Sequence, residues 1–322
     1  MQIGKAELNH GLILAPMAGF SDRAMRLVCR KYGAEYTVTE MVSARAVTFG
    51  DKKTSQIARI GEDEGPVALQ LFGREPDTIA RAIELTSGGV PGYAPPVAID
   101  INMGCPVNKV FSNGEGSALM RDPELIYRIV RASARATDLP VTVKLRAGVD
   151  KGSINALECA LAAEEGGAAA IALHGRTRVE MYGGRADREL IANVKKGLHI
   201  PLIANGDIAS ADEAIDMLSV TGADALMIGR GAIGNPFVFA EISAALDGRE
   251  YIPPAREERV ECALTELRLA IEDKGERIAV PEARGRIAAY IRGFKGAAGI
   301  RAEVNRALTY TEVEQALRRA NG

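Results

Sequence analysis

Short apolar runs alternate with amphipathic stretches along the first three quarters of the chain. The runs are Leu12–Ala15, Tyr36–Thr39, Val67–Leu71, Val97–Ile101, Val141–Leu145, Ala169–Leu173, Pro201–Ala204 and Ala223–Ile228. Most are continuously apolar, as strands covered on both faces are. Helical periodicity lies between them. Ser21 to Tyr32 opens on a candidate N-cap, Ser21, and Asp77 to Leu85 follows Pro76. Pro123 to Ala136 follows Asp122, and Ser153 to Glu165 stops at Gly166-Gly167. Ser210 to Val220 stops before Gly222, and Ala44 to Ile57 is a weak helix. Such alternation with short connections demands right-handed crossovers and a parallel sheet. Eight units in about 240 residues predict an α/β fold, a (β/α)8 TIM barrel. A doubly wound open sheet, which needs no fixed strand number, is the alternative.

After Asp247-Gly248 the pattern changes. Pro253-Pro254 marks a linker, and no strand candidate follows. Helices are predicted over about 255–273, 281–297 and 301–320, so the chain divides into a barrel, 1–248, and an all-helical C-terminal domain, 249–322. Composition adds limits. With 322 residues, 47% hydrophobic and 25% charged, the chain is an ordinary globular one. Its net charge of −2 gives no global attraction for nucleic acid. Residues 281–322, however, carry +4, and the remainder −6. Cys29, Cys105, Cys159 and Cys262 form no C-x-x-C pair, so no metal site or redox dithiol is expected. No apolar stretch is long enough to span a membrane. The expected compartment is a reducing, cytoplasmic one.

In a barrel, polar residues at the C-terminal ends of strands build the active site. All eight run ends carry such chemistry. The loops at Asn205-Gly206-Asp207 and Gly229-Arg230-Gly231 follow the seventh and eighth runs, where this fold commonly holds phosphate. Arg230 adds a bidentate donor, though tight turns alone also explain the glycines. Lys144 is an ammonium within an apolar run, which suits an anionic ligand or a flavin ring that gains charge on reduction. A Schiff-base lysine and a snorkelling side chain are the alternatives. Cys105 lies in a Gly/Pro loop. An unperturbed thiol is protonated at neutral pH and can donate a proton; as a nucleophile it would need a basic partner such as His174. His174-Gly-Arg176-Thr-Arg178 brings three potential cations to the mouth.

These segments together resemble the tRNA-dihydrouridine synthases, bacterial branch. The resemblance rests on Leu14-Ala-Pro-Met-Ala-Gly-Phe-Ser-Asp22, Gln70-Leu-Phe-Gly73 and Asp100-Ile-Asn-Met-Gly-Cys-Pro-Val-Asn-Lys109. Val143-Lys-Leu-Arg146, His174-Gly-Arg-Thr177, Asn205-Gly-Asp-Ile208 and Ile228-Gly-Arg-Gly-Ala-Ile-Gly-Asn-Pro236 extend it. It implies an FMN-dependent oxidoreductase, re-reduced by NADPH (or NADH), that converts specific tRNA uridines to 5,6-dihydrouridine. By position, Pro16, Met17, Gln70, Lys144, His174, Asn205, Gly206, Asp207, Gly229 and Arg230 are the implied FMN contacts. Asn102, Arg176 and Arg178 are the implied substrate contacts. Cys105 is the implied general acid, protonating C5 after hydride from flavin N5 reaches C6. tRNA and NAD(P)H are the implied partners, with no membrane and no obligate protein partner. The alternatives are another FMN barrel, a Lys144 aldolase without flavin, and a non-catalytic RNA-binding barrel.

Overall fold

The structure, a computed structural model, describes residues 1–319. Eight parallel strands close into a barrel: β1 Leu12–Leu14, β2 Tyr36–Val38, β3 Val67–Phe72, β4 Ala98–Asn102, β5 Val141–Arg146, β6 Ala170–His174, β7 Leu202–Asn205 and β8 Ala225–Ile228. Each pairs with its sequence neighbour, and β8 pairs with β1 to complete the ring. The doubly wound alternative is thereby excluded.

Small residues fill much of the barrel interior. Ala68, Ala98, Ala170, Ala172 and Ala225 pack there with Ile13, Ile203 and Met227. An N-terminal hairpin, Gln2–Ile3 with Ala6–Glu7, adds Ile3, Ala6 and Leu8 to this core. The larger apolar side chains point outward from the strands to the helices.

Helix ends follow local chemistry. The first barrel helix, Arg23–Lys31, is capped by Asp22, whose side chain accepts from the Met25 N–H, and not by Ser21. The Ser21 hydroxyl instead accepts from the Met17 N–H at 2.8 Å. The weak segment after β2 forms two short helices, Ala44–Thr48 and Lys52–Ile57, separated around Gly50 in the left-handed region. The helices Arg188–Gly197 and Val238–Leu246 complete the outer layer.

The described residues beyond 249 form four helices: Arg256–Lys274, Glu276–Tyr290, Ala297–Arg306 and Tyr310–Arg319. The expected helix over 301–320 is two, and its last residue lies outside the described residues. Thr309 and Glu312 make a capping box that starts a new helix: the Glu312 N–H donates to the Thr309 hydroxyl, and Glu312 accepts from the Thr309 and Leu308 N–H groups. Pro281 does not start a helix but lies inside one. These helices share a core with Ala24, Val28 and Phe237 of the barrel. Gly234 lies so close to the helix Glu276–Tyr290 that a Cβ there would sit 2.5 Å from Ala289 Cβ.

Candidate active site

Strand register gathers the polar residues. Gln70 lies beside Asp100, Asn102 beside Lys144, Arg146 beside His174, and His174 beside Asn205. All occupy the C-terminal ends of their strands. All but the buried Asp100 line a cavity of about 2470 Å³, together with Pro16, Met17, Cys105, Gly206, Asp207, Gly229 and Arg230.

A hydrogen-bond chain crosses three strands. The Thr142 hydroxyl donates to Asp100 Oδ1 at 2.5 Å, and Gln70 Nε2 donates to Asp100 Oδ2 at 2.7 Å. Asn102 Nδ2 donates to Gln70 Oε1 at 2.9 Å, while Asn102 Oδ1 accepts from the Cys105 and Gly104 N–H groups. A carboxylate only accepts and a backbone N–H only donates, so both ends of the chain fix its direction. The amides of Gln70 and Asn102 therefore have one orientation each, and the Cys105 loop hangs from the last of them. Burial pushes the Asp100 carboxyl above its ordinary value, against the hydrogen bonds from Gln70 and Thr142.

Burial also raises the Cys105 thiol above its ordinary pKa, outweighing the Val107 N–H, Arg146 and Lys144. The group is a thiol at neutral pH, the form that gives a proton. His174 is no base for it. Burial, then Lys144, Arg146 and Arg176, hold the imidazole far below its ordinary pKa, so it is neutral. Its Nε2 lies 3.3 Å from Arg176 Nη1, a donor, so Nε2 accepts and the ring proton sits on Nδ1. The expected cation at this position is absent.

Lys144 is half-buried, and its Nζ makes one hydrogen bond, 3.0 Å to Asn205 Oδ1. Asn205 in turn donates to the Met227 carbonyl. Burial, and then Arg146, lower the Lys144 pKa to about 8. It forms no ion pair among the described residues.

Arg176 is 1% exposed and does not face solvent, which corrects the expectation that it meets the substrate. Its Nη2 reaches both Asp207 oxygens, at 2.8 and 2.7 Å, and besides His174 it also donates to the carbonyls of Gly183 and Gly184. Asp207, at a positive φ of 49°, also accepts from the Ala186 N–H and, at 3.4 Å, from Arg230 Nη2. Although burial opposes it, these contacts hold the Asp207 carboxyl below its usual range. A carboxylate cannot hold phosphate. Asp207 instead holds Arg230, which stays half exposed at the mouth. Arg178 sits on the rim, 3.8 Å from the Phe111 ring centroid, with Nη2 on Asn108.

The structure adds residues that the sequence reading left unassigned. Asp100 and Thr142 are polar side chains inside apolar strands, and that interruption is their signal. Arg146, buried, donates to the carbonyls of Gly104, Thr177 and Met181. Tyr182 carries no sequence signal beyond its type.

The two glycine loops meet closely. A Cβ on Gly231 would lie 2.1 Å from the Ile208 carbonyl oxygen, and one on Gly206, at φ +125°, would lie 2.7 Å from Ala186 Cβ. Apposed glycine backbone, Arg230, and a lysine with one partner form a donor set suited to a phosphate-bearing, electron-accepting ring. The residues present thus fit FMN.

Fold and site define a (β/α)8 barrel with a protonated thiol, a fixed pair of amides and cations at its mouth that have no carboxylate partner among the described residues. The profile of the family "Dihydrouridine synthase (Dus)" matches residues 13–321. The chain is 40% identical over 312 residues to the tRNA-dihydrouridine synthase B of Pseudomonas aeruginosa, covering 95% of this chain and 91% of that one. It is 39% identical to the probable tRNA-dihydrouridine synthase 1 of Synechocystis, covering 94% and 84%. Morphinone reductase, at 14% identity and a TM-score of 0.51, covers 80% of this chain and 91% of its own and shares the barrel. The chain belongs to the dihydrouridine synthase family, and it is an oxidoreductase. No helix among the described residues is long and apolar enough to cross a membrane.

Proposed function

We propose that this protein reduces uridines of tRNA to 5,6-dihydrouridine with FMN as cofactor and NADPH (or NADH) as reductant, in the cytoplasm. The observation that carries the reading is Cys105, a thiol kept protonated by burial. It hangs from Asn102 in the same cavity as Lys144 and the two glycine loops.

Pro16, Met17, Gln70, Lys144 and His174 would line the ring of FMN, and Asn205, Gly206, Gly229 and Arg230 its ribityl phosphate, with Asp207 holding Arg230 in place. When bound, FMN would supply the hydride for C6 of the uracil, drawn from NADPH. The chain's own residues do the rest. A stacked uridine is unreachable, so the base must be extruded into the cavity. Asn102 keeps one N–H free for it, because its other N–H is on Gln70 and its oxygen is on the loop. An N–H donor there holds a pyrimidine carbonyl and steadies the charge that addition at C6 sends toward C5 and O4. The Cys105 Sγ–H bond then breaks and its proton goes to C5, leaving a thiolate near Arg146 and Lys144.

Residues 249–322 would supply a tRNA-binding domain. Part of the basic count is spent inside it: Arg286, Arg318 and Arg319 are ion-paired. Arg256, Arg259 and Arg292 form no ion pair among the described residues. The first two guanidiniums lie 4.6 and 5.0 Å from the Phe294 ring centroid, and Arg259 Nη2 donates to the Arg292 carbonyl. Arg259 and Arg292 line the same cavity as Cys105, so a phosphate backbone on them leads to the mouth.

The test is reconstitution. Protein loaded with FMN and given NADPH and unmodified tRNA forms dihydrouridine, measured by mass spectrometry of the digested RNA. Flavin oxidation by NADPH-reduced protein with no dihydrouridine formed contradicts the reading.

A further inference from the structure

The turn between β6 and the helix Arg188–Gly197 is held from below and bare on top. Two buried guanidiniums hold it through four carbonyls. Arg146 donates to those of Thr177 and Met181, and Arg176 to those of Gly183 and Gly184. The Val179 and Arg178 N–H groups tie it to Val149 and Gly148. Of its two carboxylates, Glu180 accepts from the Thr177 N–H and hydroxyl and Asp187 caps the following helix by accepting from the Leu190 N–H. Met181 has φ of 52°, a left-handed conformation that costs a side chain energy and persists only when its surroundings impose it.

Beside the exposed Arg185 and Asp187, this scaffold displays three apolar side chains. Val179 is 62% exposed, Met181 42% and Tyr182 52%. Only Tyr182 of the three lines the cavity, together with Val107 and Ile154, which are also exposed. The Tyr182 ring has cations beside it, Arg230 at 4.9 Å and Arg146 at 5.8 Å from its centroid. Neither guanidinium closes it off, since half its surface stays open. A rigid aromatic ring among arginines at the mouth of a reaction cavity matches the face of a base and the charge of its phosphate.

We propose that Tyr182 is a stacking platform for a base of the RNA that neighbours the target uridine, so that the neighbour keeps a stacking partner when the target leaves the helix. This rests on the reading that tRNA is the substrate. The two buried arginines are then positioning residues for the platform, which explains why Arg176 faces inward.

The experiment compares Tyr182→Ala and Tyr182→Phe with the wild type, all loaded with FMN, for tRNA affinity and for KM and kcat in dihydrouridine formation. Loss of one base–aromatic stack weakens tRNA binding by about 5- to 100-fold. Tyr182→Ala is expected to raise Kd and KM in that range and to keep the melting temperature and flavin spectrum of the wild type. Tyr182→Phe retains the ring and binds within about twofold of wild type, since stacking needs the ring face and not the hydroxyl. Unchanged tRNA affinity in Tyr182→Ala overturns the proposal. So does an altered flavin spectrum, which would put the ring against the cofactor, or equal loss in Tyr182→Phe. Wild-type protein that forms no dihydrouridine refutes the parent reading instead, and the binding comparison still reads this one.

Discussion

Two regions of the molecule bury cations and treat them in opposite ways. Where the C-terminal helices meet the barrel, Arg286 lies 2.9 Å from Asp22 and 3.0 Å from Glu266, and Lys274 reaches Asp22 and Glu282 at 2.8 and 2.7 Å. Tyr290 donates to Glu266 as well. Charge there is cancelled within the fold. At the barrel mouth, Lys144 and Arg146 have carbonyl and amide partners but no carboxylate in ion-pair contact among the described residues. Charge there is left over. A buried cation without an anion is costly, so the mouth suits an anionic ligand in a way the interface does not. The interface is complete already, and its work is to join the helices to the loop Met17–Asp22 beside the cavity, whose Phe20 carbonyl Arg286 also grips.

The contrast yields predictions of graded size. Arg286→Met strands two buried carboxylates, and breaking such a pair costs about 3–5 kcal/mol. Lys274 still meets Asp22, so the lower end is expected, read by denaturant unfolding. The pH dependence follows. Burial raises the Asp22 carboxyl but Arg286 and Lys274 outweigh it, so its folded pKa is lowered. Its stabilising contribution is therefore full above the ordinary aspartate value and is lost as pH falls through the lowered one. Arg286→Met removes part of that acid sensitivity.

Lys144→Met should do the reverse of Arg286→Met. It removes an uncompensated charge, so the ligand-free protein melts at the same or a higher temperature, while FMN binds about 10- to 100-fold more weakly, as losing a charged hydrogen bond predicts. The pH effect has the same sign, stability rising with pH, but it lies at the alkaline end and comes from a charge the fold disfavours. With a folded pKa of about 8, below that of a free lysine, Lys144 stays protonated in the unfolded chain where it has lost its proton in the folded one. Ligand-free wild type therefore gains stability as pH rises above about 8, and Lys144→Met loses that gain. A lower melting temperature for ligand-free Lys144→Met would break the comparison. The smallest effect belongs to the surface. Arg259→Ala should reduce the slope of log tRNA affinity against log salt by about 1, with the melting temperature unchanged.

The sequence carried the barrel nearly whole. Strands buried on both faces leave continuous apolar runs, and each of the eight runs overlaps a strand. The mouth was legible because polar residues at the ends of such runs have no packing reason to be there. Charge state and direction were not legible. His174 and Arg176 read as cations facing a ligand, yet one is neutral and the other is sealed against Asp207, because burial and partners come from loops distant in sequence. The +4 of residues 281–322 likewise counted Arg286, Arg318 and Arg319, all paired, and missed Arg256 and Arg259. The break between the last two helices was written in Thr309-Tyr-Thr-Glu312, a capping box hidden inside a helical periodicity. Tyr182 was invisible because its display depends on two arginines, on β5 and just after β6.

The central claim is that Cys105 gives the proton to C5. It is tested most directly by dihydrouridine formation with Cys105→Ala, loaded with FMN and pre-reduced, on unmodified tRNA. The expected result is a rate about 10²- to 10⁴-fold below wild type, with tRNA affinity and flavin spectrum preserved. A rate equal to wild type would show that the proton comes from elsewhere.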